Sequence, residues 1–206
     1  MKPNLQETYQ KRVSTILSPI AEGLEAIIKE HLSGTSRIDR IEVRVKSPDR
    51  FLAKSRRTVD GRPKYSDPLS EIQDQIGVRI VVLYEQDVSE VCKVIEKYYH
   101  PFEKRLLVPE REWEFGYFGR HYILSLPSDA VPSGIPLADA PDCFELQVKT
   151  LWQHAWSEAN HDLGYKPAEE LSADQRRRLA YTSAQAWGAD RMFSELFDEL
   201  RSIASD

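Results

Sequence analysis

Cysteine, methionine and long apolar runs are scarce in this chain of 206 residues. Its two cysteines, Cys92 and Cys143, are far apart and lack the close spacing of metal ligands, so we expect buried free thiols. The apolar runs are too short to span a bilayer, and residues 1–13 lack the apolar core of a signal peptide. These absences predict a globular protein with no membrane segment, and they favour the cytoplasm as its location.

Charge is unevenly distributed in a sequence whose net charge is −5. Residues 37–64 contain ten lysines and arginines but four acids, a net charge of +6, so the remainder carries −11. A basic block in an acidic chain indicates a local site for a polyanion more than a general nucleic-acid surface. A solvated helix face is the alternative interpretation of the same block.

Apolar periodicity predicts a single α/β (α+β) domain in which helices flank a mixed sheet. The predicted core spans about residues 37–166, with helical extensions at 1–36 and 167–206. Strands are expected at 41–45, 78–84, 119–127 and 144–148, and helices at 9–32, 48–55, 88–99, 149–163 and 173–203. Loops or irregular segments are expected at 58–68, 100–115 and 128–142. Pro19 and Gly23 should bend the first helix, and Ser47, Asp87 and Ser172 should cap the helices that follow them.

The strand at 144–148 contains an acid and an amide in an otherwise apolar sequence. Glu145 and Gln147 are two positions apart, so both side chains point to the same face. A carboxylate among apolar residues needs a cation, a metal or a proton. This pattern is typical of a phosphoryl-transfer site with a metal-binding acid fixed on a sheet. An edge strand with a solvated face is the alternative.

A second acid precedes the strand at 78–84, in the order Asp74, Gly77, Arg79. Gly77 would permit close backbone approach or a positive φ, and Arg79 needs an anionic partner. Asp74 and Glu145 together could hold magnesium, which prefers one or two carboxylates plus phosphate oxygens. A structural salt bridge between Arg79 and Asp74 is the alternative.

Two further groups suggest a nucleotide. Arg44, Lys46 and Lys54 surround the predicted start of a helix, where backbone N–H groups favour phosphate. Tyr117 lies beside a glycine and His121 follows four residues later, in a pattern that suits stacking on a base, although packing is the commoner use of such a tyrosine.

The helix predicted at 149–163 carries His154, Glu158 and His161 at spacings of three and four residues. Such spacing permits a metal site, but no further ligand at a known spacing supports it. Packing of this helix on the sheet is therefore favoured.

Taken together, these segments resemble the synthetase domain of the RelA/SpoT family. The resemblance runs from about residue 44 to 166 and rests on RVKSPDRFLAK, on KYSDPLSEIQDQIGVRIVV, on GYFGRH and on FELQVKTLWQHAWSEANHDLGYK. It implies a nucleotidyltransferase-like mixed sheet and transfer of pyrophosphate from ATP to the 3′-hydroxyl of GDP or GTP, giving the alarmone (p)ppGpp.

The resemblance also implies roles for individual residues. Asp74 and Glu145 resemble the acids that bind Mg²⁺, and Glu145 also matches the group that takes the proton of the attacking hydroxyl. The positions that hold ATP are Arg44, Lys46, Lys54 and Arg79. For the acceptor, the resemblance implies that Tyr117 stacks on the guanine and that His121 and Gln147 line the acceptor pocket.

Two departures from the family pattern concern the substrates. Arg50 stands where many members have serine, and the run REWEFGY lacks the Pro-Lys that holds acceptor phosphates in long members. The acceptor therefore stays open between GDP or GTP, an adenine nucleotide and the 3′ end of tRNA, the last two being toxin-like activities that an antitoxin would accompany. A catalytically silent nucleotide-binding module is a further alternative. Small members of the family often form homotetramers.

Overall fold

Five strands form one mixed sheet in a computed structural model that describes residues 4–107, 119–165 and 171–203. Their spatial order is β1-β4-β7-β6-β5. The strands are β1 (Ile38–Val45), β4 (Ile76–Val82), β5 (Pro101–Leu107), β6 (Gly119–Ser125) and β7 (Cys143–Thr150). β4 and β7 are parallel, whereas the other neighbours are antiparallel. The mixed sheet confirms the predicted fold class.

Helices cover both faces of this sheet. They are α1 (Leu5–Arg12), α2 (Ser18–His31), α3 (Pro48–Ser55), α4 (Pro68–Glu71), α5 (Glu85–Tyr98), α6 (Leu151–Tyr165) and α7 (Ala173–Ile203). α2 and α5 bury their apolar sides against the sheet, and α6 lies on the other side over β4 and β7, with α7 outside it. Within the described ranges, every helix is too short or too polar to cross a bilayer.

Alternation along β4 separates the two faces of the sheet. Ile76, Val78 and Ile80 are buried in the hydrophobic core, where they pack with apolar side chains of α2 and α5. The residues between them, Gly77 and Arg79, therefore face α6. This second face carries polar side chains from several strands, and we call it the polar face.

Two strand predictions need correction. β1 begins at Ile38, before the predicted start at residue 41. The segment predicted as irregular contains β5, which pairs with β6 over Pro101–Leu107. Its charged sequence is explained by its place at the edge of the sheet, because edge strands carry charge that opposes further pairing.

The first helix begins earlier than predicted and changes form along its length. α1 starts at Leu5, where Asn4 accepts a hydrogen bond from the Glu7 N–H, and a π-helical turn (Val13–Leu17) joins it to α2. The helix is thus already irregular before Pro19, because the π-helical turn contains more residues than an α-helical turn and displaces the helix axis.

Some of the other local predictions are confirmed and others are wrong. Ser172 caps α7 as predicted, accepting from the Gln175 N–H, and both cysteines are free and buried. Asp87 lies inside α5 at its third position, where it accepts a hydrogen bond from the Tyr84 N–H, so its predicted place as the cap is wrong.

The predicted loop at 58–68 contains a two-stranded ribbon, β2 (Thr58–Val59) with β3 (Arg62–Pro63). α6 begins at Leu151, two residues later than predicted.

Gly23 lets α2 approach the backbone of a distant segment. A Cβ at this position would lie 2.6 Å from the carbonyl oxygen of Ala130. We expect Gly23→Ala to lower the free energy of unfolding by about 1–3 kcal/mol in urea titrations, because overpacking outweighs the gain in helix propensity. Gly188→Ala in α7 is the control: beyond the adjacent backbone of its own helix, no atom of the described residues lies within 4 Å of its added Cβ, so a gain of up to about 1 kcal/mol is expected. Equal effects of the two changes would contradict the close approach.

Candidate active site

The sheet register brings most of the predicted site residues onto the polar face. Gly77 of β4 lies opposite Arg44 of β1 and opposite Glu145 of β7. One step along, Arg79 lies opposite Gln147, which in turn lies opposite His121 of β6. The predicted common face of Glu145 and Gln147 is therefore observed, since the Gln147 side-chain amide donates to Glu145 Oε2 at 3.1 Å.

Asp74 lies in the turn before β4 and binds two lysines at once. Its Oδ2 is 2.9 Å from Lys46 Nζ and 2.8 Å from Lys54 Nζ. Its Oδ1 is buried and has no hydrogen-bond partner among the described residues. Burial would raise the pKa of Asp74, but the two lysine contacts outweigh burial and lower it. Asp74 is therefore a carboxylate with one oxygen left for a further cation.

Lys46 and Lys54 reach this acid from two elements that the sequence joins closely. Lys46 follows β1 directly, and Lys54 lies in the last turn of α3. Pro48 occupies the first turn of α3, as predicted, although Ser47 at its cap makes no side-chain hydrogen bond there. The two ammonium groups converge because the helix turns the chain back over the end of the strand.

Glu145 is held at both oxygens. His121 Nδ1 lies 3.6 Å from its Oε1, and Gln147 donates to its Oε2. Burial would raise the pKa of Glu145, but the interaction with His121 outweighs burial and lowers it. The side chain is thus ionised at neutral pH and fixed in orientation.

Both acids line one cleft on the polar face. The cleft has a volume of about 160 Å³ and is lined by Arg44, Val45, Lys46, Ser47, Arg50, Asp74, Gly77 and Glu145. Gly77 does not have the positive φ that was one of the two roles considered for it. A Cβ there would meet Arg44 only at 3.9 Å.

Arg79 does not pair with Asp74, so the alternative interpretation of a structural salt bridge between these two residues is wrong. Its guanidinium lies 2.9 Å from Glu158 of α6 and 3.9 Å from Glu42 of β1. Its Nε is buried without a hydrogen-bond partner among the described residues. The Glu158 contact shows that α6 covers the polar face beside the cleft.

Helix α6 packs on the sheet over β4 and β7. No three histidine, cysteine, aspartate or glutamate side chains gather at a metal site within the described ranges. Glu158 is engaged by Arg79, and His154 is buried, which lowers its pKa. The packing that the sequence favoured is the one observed.

Lys149 is a polar-face residue that the sequence reasoning missed. It follows Gln147 by two positions, is only 2% exposed, and donates to Ser157 Oγ at 3.2 Å. Burial, followed by the charge of Arg79, lowers its pKa to about 7. The alternation of Glu145, Gln147 and Lys149 along β7 was the signal that could have revealed it.

Asp190 of α7 is tied to the end of β7 and predicts a pH effect on stability. Thr150 Oγ1 donates to its Oδ2 at 2.7 Å, and burial raises its pKa to about 6. A pKa raised in the folded state means that ionisation opposes folding. The penalty is absent below the unfolded pKa near 4 and is complete above about pH 6, where it is about 2–3 kcal/mol.

We therefore expect Asp190→Asn to raise the free energy of unfolding at pH 8 by about 1–3 kcal/mol and to change it little near pH 4. Urea titrations at the two pH values measure this difference. Asp174→Asn, an exposed acid of the same helix, should have little effect at either pH. A loss of stability at pH 8 in Asp190→Asn would contradict the ionisation penalty.

Tyr117 lies outside the described residues, in the segment between β5 and β6. His121, the other residue of that motif, lies on the polar face beside Glu145. The register also places Arg105 of β5 opposite His121, so a cation that the sequence reasoning missed lies at the far end of the same row.

Comparison with known proteins identifies the family. Residues 43–170 match the family model described as "Region found in RelA / SpoT proteins". GTP pyrophosphokinase YjbM of Bacillus subtilis (strain 168) is 28% identical over 177 residues, which are 84% of this chain and 78% of that protein.

Solved structures show the same fold. Small alarmone synthetase 1 from Bacillus subtilis bound to its product pppGpp has a TM-score of 0.72 and 21% identity, over 95% of this chain and 99% of that one. The same synthetase bound to AMPCPP has a TM-score of 0.65 and 22% identity, over 90% and 96%. The chain belongs to the RelA/SpoT family, and its sheet and helices have the fold of a small alarmone synthetase.

Proposed function

We propose that this chain transfers pyrophosphate from ATP to the 3′-hydroxyl of GDP or GTP, with Mg²⁺ as its cofactor. The observation that carries the proposal is the cleft in which two ionised acids, Asp74 and Glu145, face a set of lysines and arginines. Phosphoryl-type transfer depends mostly on positioning and charge neutralisation, which such a site supplies. The curated relative is a GTP pyrophosphokinase, and the solved synthetase carries pppGpp in one structure and AMPCPP in another.

ATP is proposed to bind on the β1 and β4 side of the cleft. Arg44 is exposed there, and Lys46 and Lys54 already bind an anionic oxygen of Asp74. ATP phosphates would become new partners of the two ammonium groups, because charge-assisted hydrogen bonds favour the more highly charged oxygens. Arg79 would exchange Glu158 for ATP in the same way.

The acids fit a magnesium ion. Asp74 Oδ1 is buried without a partner among the described residues, and Glu145 faces the same cleft. One or two carboxylates with phosphate oxygens are the ligands that Mg²⁺ prefers. When bound, the ion would neutralise charge on the phosphate oxygens during transfer.

Glu145 is proposed as the general base. The acceptor 3′-oxygen forms a bond to the β-phosphorus of ATP, the bond from that phosphorus to the α–β bridging oxygen breaks, and AMP leaves. The proton of the 3′-hydroxyl passes to the Glu145 carboxylate, whose lowered pKa keeps it ionised at neutral pH. His121 and Gln147 hold the carboxylate in place and border the acceptor, and Tyr117 is proposed to stack on its base.

Self-association is proposed to accompany this activity. Met192, Leu196 and Leu200 are exposed at four-residue intervals along α7, so they form an apolar stripe on one side of the helix. A stripe of this kind suits a second copy of the chain. A cytoplasmic location and an antitoxin partner stay predictions from the sequence.

A label-transfer assay tests the function and separates its alternatives. Purified protein, Mg²⁺ and γ-labelled ATP are incubated with GDP, GTP, ADP, ATP or deacylated tRNA, and products are separated by chromatography. Label on GDP or GTP supports the proposal. Label only on adenine nucleotides or tRNA overturns the acceptor assignment, and the tRNA reaction would fall steeply with salt. No transfer to any acceptor, with ATP binding intact, supports the silent module.

A further inference from the structure

A larger cavity lies across the residue 72–75 turn from the proposed active site. Ile72, Gln73 and Gln75 line it, whereas Asp74 between them lines the catalytic cleft. Its volume of about 610 Å³ is within the range of small-molecule sites. The other walls come from the end of α1, from α4, from the start of β5 and from residues 138–143.

Arg12 is the only cation that lines this cavity in the described part of the chain. Its Nε donates to the buried amide oxygen of Gln75 at 3.2 Å. No ion pair joins the guanidinium to a carboxylate of the described residues, although Asp67 and Asp139 are near enough to influence its pKa. Burial is the main influence on its pKa and lowers it, so Arg12 is a partly buried cation. A planar guanidinium in this state suits a carboxylate.

Three acids line the same cavity, and two of them are already engaged. Asp67 accepts from the Leu69 N–H and from Ser70, and Glu71 accepts from the backbone N–H groups of residues 66 and 67. The third, Asp142, is exposed and has no side-chain hydrogen bond or ion pair among the described residues. Asp142 is thus the carboxylate that remains for a ligand.

Apolar side chains form part of the remaining wall, next to the polar Ser70 and Gln73. Leu69 and Pro141 line the cavity together with Phe102, whose side chain is 62% exposed. A single cation among three acids opposes a polyphosphate, because like charges in one cavity repel it. The ligand should therefore carry one negative and one positive group with an apolar part between these walls.

We propose that this cavity binds a small zwitterion of the amino-acid type, with its carboxylate on Arg12, its ammonium on Asp142 and its apolar side chain against Phe102 and Leu69. The site is separate from the ATP and acceptor positions, so its existence does not depend on the proposed function. Gln75 links the two regions: its amide contacts Arg12, and its backbone carbonyl accepts from the Lys46 N–H at 2.8 Å.

Calorimetry on the full chain tests the site. L-leucine, L-methionine and L-phenylalanine are titrated singly, and we expect at least one to bind. For the one that binds, the analogue without the ammonium and the analogue without the carboxylate should each bind at least about tenfold more weakly, a loss of ~1.4 kcal/mol. Equal binding of either analogue, or no binding by any of the three, would overturn the proposal.

Variants assign the two charged contacts. Arg12→Met and Asp142→Asn should each weaken binding at least about tenfold, whereas Arg191→Met, an exposed arginine of α7, should not change it. Asp142 is exposed, so its variant is expected to fold even if loss of the Arg12 to Gln75 bond disturbs the first variant. Unchanged affinity in Asp142→Asn would overturn the assignment.

One consequence rests on the proposed function. If Lys46 binds ATP, a zwitterion that fixes Arg12 and Gln75 should change the dissociation constant of ATP, and ATP should change that of the zwitterion by the same factor. Calorimetry with both ligands measures this factor. A factor of one would overturn the coupling, while the binding tests above decide the site independently.

Discussion

Replacing Glu145 with glutamine is expected to reduce pyrophosphate transfer by at least about 10³-fold, because the change removes the proposed base and one negative charge. Glutamine keeps the size of the side chain and an oxygen that can accept from Gln147. The packing of β7 should therefore survive, since Phe144 and Leu146 on the other face fix the strand. The label-transfer assay with GDP or GTP measures the loss.

ATP binding separates a chemical defect from a structural one in this variant. The lysines on Asp74 are untouched by Glu145→Gln, so the dissociation constant of ATP should stay within about threefold, or ~0.7 kcal/mol. Glu96→Gln is the matched control: the same change on the opposite face, where Glu96 accepts from Tyr122. It should leave transfer nearly unchanged. Normal turnover by Glu145→Gln would remove this residue from the role of base.

The strand that carries Glu145 and Gln147 could be predicted from sequence because the pattern that identifies it is local. Alternation alone places Glu145 and Gln147 together, and the apolar residues between them identify the buried face. Ser47 and Pro48 likewise predict where α3 begins. The lysines were predicted only in part: Lys46 lies just before the start of α3 as expected, whereas Lys54 lies in its last turn, and their common contact with Asp74 was not predicted.

Partners contributed by distant segments could not be predicted in the same way. Arg79 needs an anion, and the nearest acid in sequence is Asp74, yet the sheet register and the course of α6 bring Glu158 to it. Asp74 in turn is neutralised by a lysine that follows β1 and by a lysine of α3. β5 was missed because an edge strand need not alternate as a half-buried one does.

Replacing Asp74 with asparagine is expected to have two opposite effects. Transfer should fall by at least about 10³-fold, since the variant loses a carboxylate proposed to hold the magnesium ion and to face the reacting phosphates. ATP binding without magnesium should become about tenfold tighter, or ~1.4 kcal/mol. Lys46 and Lys54 lose the carboxylate that neutralises them, so both ammonium groups meet the phosphates without first giving up a partner.

Calorimetry with ATP in the presence of a chelator measures the second effect, and the label assay measures the first. Asp49→Asn is the matched control, because it makes the same change of net charge at an exposed position of α3. It should leave transfer and metal-free ATP affinity nearly unchanged, which separates local release of the lysines from a general gain of positive charge. Weaker metal-free binding by Asp74→Asn would show that the lysines serve Asp74 and not ATP. Retained transfer would place the essential acid elsewhere in the cleft.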